Sequence, residues 1–135
     1  GTNYPRMSTL KYGIPVPPAP TSCPLKSPRG ADLATRIWPV KKPKALCLVV
    51  HGGGWHSGYF EELAAVLNKA SIYCSSYDQV NCGYSDSEPD SPKPGVMHVR
   101  NFDCLVEDVC AAVKWMQNEA QNTDAPVFLF GESFG

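Results

Sequence analysis

The chain has 135 residues, of which 43% are apolar, enough for one domain with a real core. Its formal net charge of -1 supplies no field to hold nucleic acid or an anionic membrane surface, so neither partner is expected. No apolar run approaches the roughly 18 residues of a membrane-spanning helix, and residues 1–10 lack the apolar stretch of a secretory signal.

Residues 1–30 read as an irregular surface lead-in, because Pro15, Pro17, Pro18, Pro20, Pro24 and Pro28 each remove a backbone donor. From residue 31, Leu33, Thr35 and Ile37 alternate with Asp32, Ala34 and Arg36, which predicts a half-buried strand ending at Trp38-Pro39. Residues 41–44 form a turn. Ala45–Val50 (A-L-C-L-V-V) is apolar without alternation, the pattern of a parallel strand covered on both faces. His51-Gly52-Gly53-Gly54 then interrupts it with flexible backbone. Phe60, Leu63, Ala64 and Leu67 fall at i, i+3, i+4 and i+7 and predict a helix. Ile72–Tyr77 is a short strand, and residues 78–98, rich in Gly, Pro, Ser and Asp, form a loop long enough to be functional.

Phe102, Leu105, Val106, Val109, Val113 and Met116 mark the clearest helix, with His98 at its opening, Asn101 as its cap, and Asp103, Glu107 and Asp108 on its solvated face. Residues 126–130 (P-V-F-L-F) predict a third buried strand. Strand and helix alternate from Ala45 onward, so the fold class is α/β, with a mostly parallel sheet and flanking helices.

The six cysteines are Cys23, Cys47, Cys74, Cys82, Cys104 and Cys110. None form a CxxC pair or stand at ligand spacing from a histidine, so no metal site is expected. Cys47 and Cys74 lie in apolar runs and should pack as small hydrophobes. Free thiols favour a reducing, cytoplasmic setting.

Directly after the last strand comes Gly131-Glu132-Ser133-Phe134-Gly135, a G-x-S-x-G sequence. Two glycines allow a sharp turn that lifts the Ser133 hydroxyl above the carboxyl end of the sheet, where α/β proteins bind ligands. Ser133 is therefore the candidate nucleophile. His51-Gly52-Gly53-Gly54-Trp55 follows an earlier strand, and small residues there leave backbone N–H groups free to approach a developing oxyanion. Gly53 and Phe134, the residue after the serine, are the candidate oxyanion donors. A phosphate-binding loop is excluded, because the chain has no GxxxxGK[ST] and no GxGxxG after a strand.

With both motifs in view, residues 27–135 resemble the monoacylglycerol lipase and lysophospholipase branch of the α/β-hydrolases, which includes plant esterases of the caffeoylshikimate type. Arg29-Gly30 precedes the strand ending Trp38-Pro39, as the family's N/R-G and W-x-P do, and Pro43-Lys44-Ala45 leads into the HG strand. His51 to Ser57 is similar to the family's HG-x-G-x-H-S, Tyr59 and Glu62-Leu63-Ala64 continue the match, and residues 127–135 resemble P-V-F-L-x-G-x-S-x-G. Where the family writes D-x-x-G-H-G-x-S, the chain has Asp78 to Ser85 with Asn81 for the glycine and Cys82 for the histidine.

The resemblance implies a serine esterase that takes a small ester or lipid-like substrate and needs no metal or organic cofactor. It gives His51 a structural role and places the acid and the base histidine after the serine. His51, His56 and His98 all precede Ser133, so no base is expected among them. Residues 31–135 are thus expected to form the N-terminal part of an α/β-hydrolase domain, nearly inactive alone, with its last strand an open edge. A cap carried by the rest of such an enzyme would be the place for any peripheral membrane contact. A serine aminopeptidase-like hydrolase and a non-catalytic hydrolase-fold binding protein are the alternative readings.

Overall fold

The central strand is β4, Ala45–Val50, and all six of its residues are buried. Its alternate side chains serve two different cores. Leu46, Leu48 and Val50 pack with Tyr73, Tyr77, Ala112 and Met116 on one face. Cys47 and Val49 pack with Phe60, Ala64 and Cys74 on the other. Double-sided burial is why the sequence shows no period of two there.

The computed structural model describes residues 25–88, 90, 91 and 98–135. The elements are β1 (Leu25–Lys26), β2 (Asp32–Leu33), β3 (Thr35–Trp38), β4, a 3₁₀ turn (Ser57–Phe60), α1 (Glu61–Lys69), β5 (Ile72–Tyr77), α2 (Phe102–Glu119) and β6 (Val127–Gly131). The main sheet has the order β3-β5-β4-β6. Strands β5 and β6 run parallel to β4 on either side of it, and β3 runs antiparallel to β5. The chain therefore crosses from β4 to β5 through α1, then back over β4 to β6 through α2. The exits of β4, β5 and β6 share one end of the sheet, the end at which ligands bind in open α/β sheets.

Local chemistry accounts for the helices. Glu61 and Glu62 in the first turn of α1 and Lys69 in its last complement the helix dipole. Asn68 Nδ2 donates to the carbonyls of Trp38 and Ile72, both at 3.0 Å, and ties the end of α1 to the sheet. The helix α2 starts at Phe102, four residues after His98, and Asn101 caps it by accepting from the Cys104 N–H at 3.0 Å.

Several expectations are corrected. The irregular lead-in expected over 1–30 includes a strand from Leu25, where β1 pairs antiparallel with β2 (Leu25 opposite Leu33); the prolines up to Pro24 lie outside the described residues. The strand expected as one run from residue 31 is two, β2 and β3, separated at Ala34. Arg36, placed on its outer face, is buried, and its Nε donates to Ser57 Oγ at 3.1 Å. The strand β6 forms at the open edge expected of it, and there the burial read from its apolar run does not hold: Phe128, Leu129 and Phe130 are 44–59% exposed. Cys47, Cys74, Cys82, Cys104 and Cys110 are free; Cys23 lies outside the described residues.

The largest correction concerns Asp108, which is 1% exposed rather than solvated. Arg29 Nη2 donates to both of its carboxylate oxygens at 2.8 Å, Arg29 Nε donates to Glu88 Oε1 at 2.8 Å, and Nη1 reaches the exposed Glu107 at 3.1 Å. Burial works against the guanidinium charge, but the bonds to Glu88 and Asp108 outweigh it and hold Arg29 above its ordinary pKa. One side chain thus joins the segment after β1, the long loop and α2. Removing one partner of a buried pair strands the other's charge, at a cost of about 3–5 kcal/mol. Arg29→Ala is therefore expected to lower the urea unfolding free energy of the full protein by that order. Lys26→Ala, which breaks the exposed 2.6 Å pair with Asp32, should cost no more than about 1 kcal/mol.

Candidate active site

The site begins where β4 and β6 end side by side, with Val50 opposite Gly131. The Glu132 N–H donates to the Val50 carbonyl at 3.1 Å, so the turn after β6 is anchored to β4. The chain then reverses within four residues, closed by the Gly135 N–H on the Glu132 carbonyl at 2.8 Å. Ser133 sits in that turn at φ +53°, a left-handed conformation that a serine adopts only where its surroundings impose it. Space explains both glycines of the motif. A Cβ on Gly131 would lie 2.5 Å from the Gly135 carbonyl oxygen, and one on Gly135 would strike the backbone carbonyl of Val50. Ser133 itself is exposed.

The glycine loop after β4 touches this turn. A Cβ on Gly52 would lie 3.1 Å from both Ser133 Cβ and the Glu132 carbonyl oxygen, and would overlap Glu132 Oε2. The two motifs, some eighty positions apart in sequence, are thus in van der Waals contact. Gly53 is exposed directly beyond the contact. Phe134 is 45% exposed, and its ring meets Phe102 edge-on at 6.4 Å. It lines an apolar cavity of about 270 Å³ between α2 and β6, together with Leu105, Val109 and Leu129.

Beneath the loop lies a buried polar layer. His51 is fully buried; its Nε2 accepts from the Gln79 N–H at 2.8 Å. Its Nδ1 therefore carries the proton and donates to the Gly52 carbonyl at 2.7 Å. Burial pushes the imidazole below its ordinary pKa. With both nitrogens committed, His51 is structural. Asp78, also fully buried, accepts from Ser57 N–H (2.7 Å), Ser57 Oγ (2.6 Å) and Tyr84 N–H (2.9 Å).

His56 Nδ1 accepts from the Gly58 N–H at 3.1 Å, its ring stacks on Tyr59 at 4.4 Å, and its Nε2 is buried without a partner among the described residues. Burial lowers its pKa too. Among the described residues no hydrogen bond joins Ser133 to His51, His56 or His98.

The loop after β5 shows how the chain accommodates its departures. Asn81 stands at φ +64°, a conformation asparagine tolerates better than most residues. Its side chain accepts from the Glu88 N–H at 3.1 Å and donates to the His98 carbonyl at 2.9 Å, which fastens the long loop. Cys82 is buried, and burial pushes its thiol up to about 11, so it is a neutral packing group. Asp78 was legible as part of that motif. Ser57 was legible too, as the last residue of the glycine-loop motif, whereas Gln79 and Arg36 carry no signal of their own, since each contacts a residue more than twenty positions away.

The family model described as "Serine aminopeptidase, S33" matches residues 41–135. Human monoglyceride lipase is 39% identical over 107 residues, covering 78% of this chain and 32% of that protein. The Monkeypox virus monoglyceride lipase homolog is 34% identical over 101 residues, 74% of this chain and 33% of that protein. Among solved structures, a thermostable carboxyl esterase from Bacillus coagulans superposes with a TM-score of 0.68 at 27% identity, over 85% of this chain and 36% of that one. A soluble variant of monoglyceride lipase from Saccharomyces cerevisiae superposes at 0.65 and 21% identity, over 90% and 40%. The chain spans about a third of the length of the curated relatives it matches.

The two buried histidines set a pH dependence. Both have folded-state pKa values below the ordinary value, so the unfolded chain takes up protons that the folded one refuses. Their contribution to stability is intact above the unfolded pKa of about 6.5 and is lost as pH falls below it. The urea midpoint of the full protein is expected to fall between about pH 7.5 and pH 5.5, and His51→Gln should flatten that slope. A midpoint independent of pH in this window would contradict the assignment.

Proposed function

The chain belongs to the serine aminopeptidase S33 family and carries part of an α/β-hydrolase fold, and from that premise we propose that it supplies the nucleophile and the oxyanion site of a serine carboxylic ester hydrolase acting on monoacylglycerol- or lysophospholipid-like esters. The observation that carries this reading is the contact between Gly52 and Ser133, with the serine held left-handed at the end of β6. The relatives named monoglyceride lipase favour a lipid ester. In this reading residues 31–135 are the body of the partial domain, with the segment from Leu25 tied to it through β1 and Arg29. Among the described residues no helix is long and apolar enough to cross a membrane.

In the proposed reaction Ser133 Oγ attacks the ester carbonyl carbon and its proton passes to a histidine base. The carbonyl oxygen becomes an oxyanion, which accepts from the N–H groups of Gly53 and Phe134. Collapse expels the alcohol, which takes the proton from the base. Water then adds to the acyl-serine, releases the carboxylic acid and restores Ser133. One oxyanion donor of this kind is worth about 2.7–4 kcal/mol in the transition state. His51 is committed elsewhere, and neither His56 nor His98 bonds to Ser133. Accordingly, none of His51, His56 and His98 is assigned as the base. Loss of a base costs about 10⁶ in turnover, so residues 1–135 alone are expected to be nearly inactive.

A fluorophosphonate probe on the full protein should label Ser133, and Ser133→Ala should abolish both labelling and hydrolysis of a monoacylglycerol. Preferential cleavage of aminoacyl amides would favour a peptidase instead. Absence of labelling in the full protein would favour a non-catalytic binding protein.

A further inference from the structure

We infer that Gln79 is a positioning residue of the oxyanion site: it holds His51, and through His51 it fixes the plane of the Gly52–Gly53 peptide. The inference rests on the proposal that the Gly53 N–H stabilises the oxyanion. Gln79 is 3% exposed and grips His51 at two points. Its backbone N–H donates to His51 Nε2 at 2.8 Å, and its side-chain Nε2 donates to the His51 carbonyl at 2.5 Å. The first bond selects the tautomer in which His51 Nδ1 carries the proton. That proton goes to the Gly52 carbonyl at 2.7 Å.

The consequence follows from the peptide bond. The C=O of Gly52 and the N–H of Gly53 belong to one planar trans unit and point in opposite directions. Holding the carbonyl down toward His51 therefore directs the Gly53 N–H away from the buried layer. The Trp55 N–H, which donates to the same carbonyl at 3.2 Å, holds it from the other side of the loop. Glycines at 52, 53 and 54 have little torsional stiffness of their own. The orientation of this donor must come from its anchor, and the anchor is His51 fastened by Gln79. The side-chain amide of Gln79 is the part that a substitution can remove while the backbone bond stays.

The test uses the full protein, with Gln79→Met and Gln79→Leu. Neither side chain can donate to the His51 carbonyl, and methionine keeps the length of glutamine. Each is expected to lower kcat by about tenfold or more while KM changes little, since misplacement of a transition-state donor acts on the chemical step. Affinity for a boronic acid that mimics the tetrahedral intermediate should fall in parallel with kcat. Unchanged kcat and boronate affinity in either folded variant, with Ser133 still labelled by a fluorophosphonate, would overturn the inference while leaving the esterase reading standing. Unlabelled Ser133 in the unsubstituted protein would instead overturn that reading, and this inference with it. The ¹⁵N shifts of His51 in the unsubstituted protein give a result independent of how either variant folds. Nδ1 should be the protonated nitrogen, and a proton on Nε2 would overturn the assignment.

Discussion

The parallel pairing of β4 with β6 is the constraint on which the site depends. Val50 lies opposite Gly131, and the Val50 carbonyl takes the Glu132 N–H. Both strands therefore end at the same level, and their exit loops have to share the space above them. That space is too small for side chains: Gly52 sits against Glu132 and Ser133, and Gly135 sits against the β4 backbone. The glycines of the two motifs answer a packing requirement first. In the proposed reaction, access of backbone N–H groups to the oxyanion would follow from the same lack of bulk.

The second requirement is that the loop above β4 be aimed, and this falls to buried polar groups. Asp78, Ser57, His51 and Gln79 are all buried, and each is bonded to a different segment of the chain. A buried donor or acceptor left unpaired costs about 1–3 kcal/mol, so such a layer specifies one arrangement strongly. The same burial depresses the two histidines in it and ties the rigidity of the loop to neutral imidazoles. Further out, Arg29 carries an analogous role by ionic bonds, fixing the long loop and α2 to the segment after β1.

Much of the fold was legible because burial leaves periodic marks. The unbroken apolar run of β4 reports cover on both faces, and the spacing of Phe102, Leu105, Val106, Val109, Val113 and Met116 reports α2, although Phe102 and Val106 stand exposed and the buried Ala112 was not part of that pattern. The serine turn and the glycine loop were legible as motifs because they follow strands. What stayed hidden depends on partners distant in sequence. Asp108 reads as a surface acid until Arg29, 79 positions earlier, is placed beside it. Arg36 reads as the outer face of a strand until Ser57 folds over it. The run P-V-F-L-F looks the same in an edge strand as in a central one, so the exposure of β6 was legible only from the open edge that the resemblance implied, not from the run itself. Gln79 is a single polar letter in a loop, and only the position of His51 gives it meaning.

The central claim is that the glycine loop and the serine turn form one reactive site because they are in contact. The most direct measurement is the rate at which a fluorophosphonate labels Ser133 in the full protein carrying Gly52→Ala. A methyl group there meets Ser133 Cβ and the Glu132 carbonyl oxygen at 3.1 Å and must push the two motifs apart. The shift required is a few tenths of an ångström, so the labelling rate is expected to fall by about tenfold, short of the roughly hundredfold that a misplacement of reacting groups by about 1 Å costs, in a protein that remains folded. Labelling at the unsubstituted rate would contradict the account.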